Sequence, residues 1–487
     1  MSERESLKKY FAKTKQRVSL TTDLWSSRQN LSYMCLTAHF IDQNWTIHKR
    51  ILNFCSVSGH SGEVIGKYVE KNLLDWGIDK VFTITVDNAS SNDLCIRYLK
   101  RRLNNWKNSV LDSQYLHMRC CAHILSLVVK EGLKELEDPI LRIRSAVKYV
   151  RSSPARLQRF KACVEKMKIE SKSLVCLDVE TRWNSTYLML ESAIKFQAAF
   201  DMLEEQDSKY RSELLSLKGM PTEEDWDYAR CLLPFLKGFY TSTLRISGSL
   251  YVTSNSYFHE VFGIGAMIKN KMSVKDEGLR KMATRMKGKY DKYWSNESNI
   301  NMFLFVGSIL DPRHKLGYVS FIVEQSYEKE KAEWLCHEIE NVLKGLFNHY
   351  SREYGVVNEN DATSVKSELD RYLGEQCKSL DNKFDILEWW KKNESRLPVM
   401  AAMARDILAI PASTVASESS FSTGGRVLDT FRSSLTPTLV EALVCSQNWL
   451  RSKNVPFDIE EKLEELENFE ADLKDLPQVF SSITVDD

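Results

Sequence analysis

Asp23 and Asp87 each close a run of strand-forming residues, SLTTD (19–23) and KVFTITVD (80–87). A carboxylate at the end of a strand has two ordinary uses. It can turn the chain or cap the helix that follows, or it can help to hold a cation. The segment after Asp87, Asn88-Ala89-Ser90-Ser91-Asn92, suits a helix cap and would also leave room for a substrate backbone. If the first and fourth strands lie side by side and parallel, both acids project from one sheet edge. Two close carboxylates raise each other's pKa unless a cation stands between them. Magnesium, a hard ion with oxygen ligands, is the natural neutraliser. Two such ions about 4 Å apart form the clamp used in phosphodiester hydrolysis and strand transfer.

The elements that would position these acids follow from the pattern around them. RVSLTTDLW (17–25), SYMCLTAHFI (32–41) and HKRILNFCSV (48–57) are rich in β-formers and separated by polar breaks. They predict a three-strand antiparallel meander. GEVIGKYVEKNLLDWG (62–77) puts Val64, Ile65, Tyr68, Val69 and Leu73 on one helical face, with Gly77 suited to the C-cap. The next strand ends at Asp87. A helix joining two strands of one sheet favours parallel pairing. Residues 90–103 and 120–135 predict helices, and SLVCLDVETRW (173–183) predicts a further strand. From about 187 to 405 the chain turns to long amphipathic helices with many Trp, Tyr and Lys residues. These are predicted to form an inserted helical block with its own core. The polar stretch 351–368 is predicted to be a loop, and the acid-rich 458–475 an exposed end.

At 487 residues the chain exceeds one ordinary core, so two or three domains, or one domain with a large insertion, are expected. The net charge of +1 supplies no global attraction for nucleic acid, and any such contact must rest on local patches. Three stretches offer cations with interspersed aromatics: 96–107, 142–161 and 268–294. Such stripes can follow a phosphate backbone; they can equally be helix faces balanced by acids. No apolar run approaches the length of a membrane span, and the N-terminus lacks the apolar core of a signal peptide. The 11 scattered cysteines suit reduced thiols. No C-x2-C followed by H-x3-5-H occurs, so neither a zinc finger nor another zinc site is expected.

Six separated motifs carry a resemblance. They are SLTTDLWSS (19–27), TITVDNASSND (83–93), RCCAHILSLVV (119–129), ETRWNSTYLML (180–190), ILDPRHKL (309–316) and the long run from Pro411 to Leu450 that contains VASESSF. In this order the chain resembles transposases of the hAT superfamily, in the plant-type group that includes domesticated BED-zinc-finger "sleeper" proteins. The resemblance implies an α/β fold plus an all-α insertion: a ribonuclease-H-like mixed sheet interrupted by a large helical domain. It implies a DDE triad of Asp23, Asp87 and Glu418, serving as catalytic residues and ligands of Mg2+ or Mn2+. It maps a C-x-x-H pair onto Cys120 and His123, near the active site and the DNA strand, although an apolar helix also packs such residues structurally. It maps a base-stacking tryptophan onto Trp183, with Arg182 beside it for phosphate. A tryptophan there can also be a core plug.

The resemblance further implies DNA and a second copy of the chain as partners, with no membrane and no small-molecule substrate, and a nuclear location. The expected divisions are a basic leader (1–16), the first part of the core (17–186), the helical insertion (187–383), a dimerisation segment completing the core (384–450) and an acidic tail (451–487). Trp389, Trp390, Met400, Met403 and Ile407 are the expected dimerisation residues, intramolecular packing being the alternative. DPRHK (311–315) is expected at a turn or helix start. Family members usually carry a BED finger ahead of the core, whereas here the first strand begins near residue 17. The expectation is a chain without that module. Two functions stay open: metal-dependent DNA cleavage and strand transfer, and a non-catalytic DNA- or protein-binding dimer.

Overall fold

The computed structural model describes residues 2–27, 31–134, 137–171, 173–180, 182–296, 299–355, 367–381, 383–427 and 436–451. The expected acidic tail and most of the loop predicted at 351–368 lie outside them. Five strands form one sheet: β1 (Val18–Ser26), β2 (Ser32–Ile41), β3 (Ile47–Ser56), β4 (Val81–Val86) and β5 (His117–Arg119), in the order β3-β2-β1-β4-β5. The meander β1–β3 is antiparallel, and β4 and β5 add in parallel through helical crossovers. The helices of this part are α1 (Ser2–Thr14), α2 (Gly62–Trp76), α3 (Ser90–Asn105) and α4 (Cys121–Leu133). Gly77 ends α2 at φ +64°, a left-handed conformation that glycine adopts without a Cβ clash.

The helical remainder comprises α5 (Glu137–Arg151), α6 (Pro154–Lys166), α7 (Trp183–Ile194), α8 (Gln197–Gln206), α9 (Ser208–Leu215), α10 (Glu223–Ile246), α11 (Ser254–Lys271), α12 (Glu277–Trp294), α13 (Phe303–Ile309), α14 (Lys315–Ser326), α15 (Lys329–Glu353), α16 (Glu368–Gly374), α17 (Ile386–Asn393), α18 (Pro398–Leu408), α19 (Val415–Val427) and α20 (Pro437–Arg451). Among the described residues of 173–183 the predicted strand is absent. The described residues there run irregularly into α7, and Asp178 is spent on Arg144 and the Thr186 hydroxyl rather than on a ladder. Its apolar residues fill gaps between helices, which a short apolar run does as well as a strand.

The sheet has two faces with different chemistry, because successive side chains alternate. Val18 and Leu20 of β1 and Ile84 and Val86 of β4 join the apolar core that includes residues of α2 and α3. The opposite face carries Ser19 and Thr21 of β1, Thr37 and His39 of β2, and Thr83 and Thr85 of β4, all buried. α20 covers the outer strand. The Asn448 side chain accepts from the Ile51 N–H, and Trp449 Nε1 donates to the Ile51 carbonyl. Two backbone groups that would be open on an edge strand are thereby satisfied.

The N-terminal segment expected as a basic leader is folded as α1. Phe11 is buried in the sheet's core, and Arg4 and Lys8 pair with Asp75 of α2. The insertion is fastened to the sheet at several points. Phe303 stacks on Phe82 of β4 with centroids 4.9 Å apart, and Asn301 donates to the carbonyls of Tyr115 and His117. The DPRHK motif is a structural knot. Buried Asp311 accepts from Asn255 and from the Arg313 guanidinium and backbone N–H. Lys315, at φ +55°, donates to the carbonyls of Tyr372 and Glu375.

A charge cluster, with Arg17 and Asp406 buried and Glu353 exposed, joins the start of β1 to α15 and α18. Arg17 lies 2.6 Å from Glu353 and 3.6 Å from Asp406, and Asp406 also accepts from the Tyr350 hydroxyl. Removing one partner of a buried pair leaves the other charge desolvated and uncompensated. Arg17→Met is expected to cost about 3–5 kcal/mol in urea unfolding, whereas Lys67→Met, in an exposed helix pair with Glu63, is expected to leave the urea midpoint close to wild type.

Candidate active site

Strand register decides how the two aspartates meet. Thr21 pairs with Thr85 across the parallel β1–β4 ladder. Asp23 and Asp87 stand two residues beyond that pair and therefore come level, on the same face as the threonines. A third acid is brought there by the chain crossing from the helical insertion. Pro411 accepts from the Thr85 hydroxyl, and Ala412 accepts from the Cys121 N–H and donates to Thr253 Oγ1. Thr414 then meets Cys120, and α19 begins. Ser417 Oγ lies 2.8 Å from Thr21 Oγ1, which is also 3.1 Å from His39 Nε2. One turn later Phe421 stacks on Trp25 with centroids 6.0 Å apart. These two contacts bracket Asp23 on β1 and Glu418 on α19.

The electrostatics agree with that placement. Burial pushes the Asp23 carboxyl up to about 8, with Glu418 and Asp87 adding to the rise against one opposing hydrogen bond from the Leu24 N–H. Like charges facing one another in a partly desolvated site have this effect. Asp87 Oδ1 accepts from the Ala89 N–H and the Asn92 amide, so a turn-forming use of this acid, just ahead of α3, and its placement beside Asp23 occur together. Glu418 is exposed, and its Oε1 accepts from the Thr414 hydroxyl at 3.0 Å. As arranged, among the described residues no group of three or more His, Cys, Asp or Glu side chains could hold a metal ion. The acids share one field without forming a closed ligand shell. They present hard anionic oxygens, with the Asp23 proton held up to about pH 8.

Of the expected C-x-x-H pair, Cys120 reaches the site and is fully buried. Burial and nearby Glu418 push its thiol up to about 12. His123 is half-buried one turn into α4. Trp183 does not stand open to a base. It is 3% exposed and meets Phe239 edge to face. A stacking platform needs a free ring face, and this one is filled by the helical core because Trp183, Thr186, Tyr187 and Leu190 form the inward side of α7. Arg182, next to it, is exposed. The cations of 142–161 largely serve the fold: Arg142, Arg144, Lys148, Arg156 and Arg159 pair with Asp225, Asp178, Glu180, Glu213 and Asp207.

The residues expected at a dimer surface are also corrected. Trp390, Met400, Met403 and Ile407 are fully buried inside the chain, and Trp389 packs against the same core. Trp390 Nε1 donates to the Leu310 carbonyl. This side of α17 and α18 is consumed by the insertion, which offers an apolar surface at once and in the same chain. Thr21, Thr414 and Ser417 were not singled out by sequence reasoning. For Thr414 and Ser417 the signal was the density of small hydroxyl residues in STVASESS, and for Thr21 the paired threonines of SLTTD.

A five-stranded mixed sheet with acids at the adjacent ends of β1 and β4, completed by a helix that returns after a long helical insertion, defines a ribonuclease-H-like transposase fold. Family profiles match along most of the chain: ZBED1 RNase-like domain at 21–115, ZBED1 RNase-like helical domain at 118–234, hAT-like transposase, RNase-H fold at 255–350, and hAT family C-terminal dimerisation region at 368–450. The third covers α11 to α15 here and contains no strand of the sheet. The chain is 35% identical to zinc finger BED domain-containing protein RICESLEEPER 2 of Oryza sativa over 92% of its own length and 67% of that protein's. It is 33% identical to a Zea mays protein named for the AC transposase (92% and 59%), and 30% identical to DAYSLEEPER of Arabidopsis thaliana (93% and 66%). The chain belongs to the hAT family. It spans about 59–67% of the length of these three relatives.

The raised Asp23 pKa has a definite sign in stability. Between about pH 4 and pH 8 the native carboxyl keeps a proton that the unfolded chain releases, so this group's contribution falls as pH rises. Asp23→Asn removes the cost. Its melting temperature is expected to match wild type near pH 4 and to exceed it increasingly toward pH 8, measured by thermal melts in metal-free buffer.

Proposed function

We propose that this chain is a self-associating, transposase-type DNA-processing protein in which Asp23, Asp87 and Glu418 bind Mg2+ or Mn2+. The observation that carries this reading is the level placement of Asp23 and Asp87 across β1 and β4, with Glu418 contributing to the field on Asp23. A bound ion would polarise the scissile phosphate and lower the pKa of an attacking water or DNA hydroxyl. The new P–O bond would form as the bond to the 3′ oxygen breaks, the nucleophile's proton passing to solvent water and the departing 3′ oxygen taking one from it. DNA as substrate implies nuclear residence. Among the described residues no helix is long and apolar enough to cross a membrane.

A second reading, a DNA- or protein-binding dimer without catalysis, is favoured by the open arrangement of the three acids. A nicking assay on supercoiled DNA with Mg2+ or Mn2+ separates the two. Metal-dependent nicking by wild type, reduced at least about a hundredfold in Asp87→Ala, is the expected outcome. Equal behaviour of the two folded proteins would leave the binding dimer.

The self-association surface is proposed to be the outer side of α20. Leu439 and Leu443, one turn apart, are 46% and 43% exposed, while Val440 and Val444 face the sheet. The dimerisation profile includes this helix, and a second copy is the occupant it supports. Leu439→Glu with Leu443→Glu is expected to yield monomers by light scattering with little change in melting temperature. An oligomer like wild type would exclude this face.

A further inference from the structure

Cys120 occupies a junction that connects Asp87 to Glu418 through four groups. Its backbone N–H donates to the carbonyl of Val86, the residue before Asp87, at 2.8 Å. Its Sγ lies 3.3 Å from both the Thr414 N–H and the Thr414 hydroxyl. That hydroxyl is 3.0 Å from Glu418 Oε1. A threonine hydroxyl has one proton and two lone pairs, so it cannot donate to sulfur and carboxylate at once. The carboxylate is the stronger acceptor and takes the proton. The thiol then supplies its S–H to the hydroxyl oxygen while its sulfur accepts the Thr414 N–H. Burial of Cys120 keeps the thiol in the protonated form this pattern needs.

We infer that Thr414 and Cys120 are positioning residues for Glu418: the thiol orients the Thr414 hydroxyl, the hydroxyl fixes Oε1, and the second carboxylate oxygen is left for a divalent cation. This rests on the reading that the three acids bind metal. The arrangement explains why an exposed glutamate on the first turn of a helix would hold one rotamer. Both partners are buried, Thr414 and Cys120 at 0% exposure, so water does not compete for these bonds.

The test is Mn2+ titration of the full chain, with free Mn2+ read by electron paramagnetic resonance. Wild type, Asp87→Ala, Thr414→Val, Thr414→Ser and Cys120→Ala are compared, each shown folded by its circular-dichroism melt. Thr414→Val is expected to weaken Mn2+ binding about tenfold, with Thr414→Ser restoring it and Cys120→Ala falling between, as outer-shell changes generally do. Thr414→Val binding as well as wild type, or more tightly, while Asp87→Ala loses binding, would overturn the positioning role and leave the metal site standing. Wild type and Asp87→Ala binding alike would remove the metal site and the inference with it.

Discussion

The parallel pairing of β1 with β4 governs the rest of the molecule. Once Thr21 faces Thr85, Asp23 and Asp87 are brought level at one end of the sheet. Burying a carboxylate beside other acids is unfavourable, and the raised pKa of Asp23 reflects burial first, then Glu418, and least Asp87. The surrounding structure accepts it because the ladder is held by groups away from the acids. One face of the sheet buries Val18, Leu20, Ile84 and Val86 in the apolar core it shares with α2 and α3. The other face is closed by hydroxyl contacts, Thr83 with Ser19, Thr21 with Ser417 and Thr85 with the Pro411 carbonyl. Buried hydroxyls need partners, so this face fits only a segment that supplies them in register.

That requirement ties the helical insertion to the sheet. The segment from Pro411 to Ser420 leaves α18 deep in the insertion core and lies down on the threonine face. Glu418 therefore stands near Asp23 only where the insertion is docked on the sheet. Phe303 on Phe82, Asn301 on the β5 edge and the Arg17 cluster fix that docking. Trp390, Met400, Met403 and Ile407 are consumed in the same task, as part of the core from which α19 departs.

The meander, the first crossover, the parallel fourth strand and the helical character of the insertion are all visible in local pattern. Alternation of period two marks β1 to β4, and helical spacing with Gly77 at the cap marks α2. The two aspartates were legible because each ends such a run. Other features misled for physical reasons. Cys176, Leu177 and their neighbours near 173–183 form a short apolar run that reads as a strand yet fills space between helices. Trp183 and Trp390 are large apolar groups, and a large apolar group has the same signature in a core as at an interface or a base-stacking site. The cationic stretch at 142–161 gives no sign of its acids, because Asp178, Glu180, Asp207, Glu213 and Asp225 lie tens of residues away in sequence.

By itself, then, the order of residues determined the types of β1 to β4 and of α2 to α4, the parallel pairing at the first crossover and the two carboxylates at strand ends, since each depends on neighbours a few positions apart. Tertiary structure alone decided which face of the sheet is hydroxyl-lined and buried, that Thr414 stands between Cys120 and Glu418, and that the aromatic and methionine residues of α17 and α18 are core. Those outcomes depend on contacts between residues up to 396 positions apart, as between Thr21 and Ser417. Such contacts are set by how a folded insertion seats on a sheet, and no local periodicity carries that information.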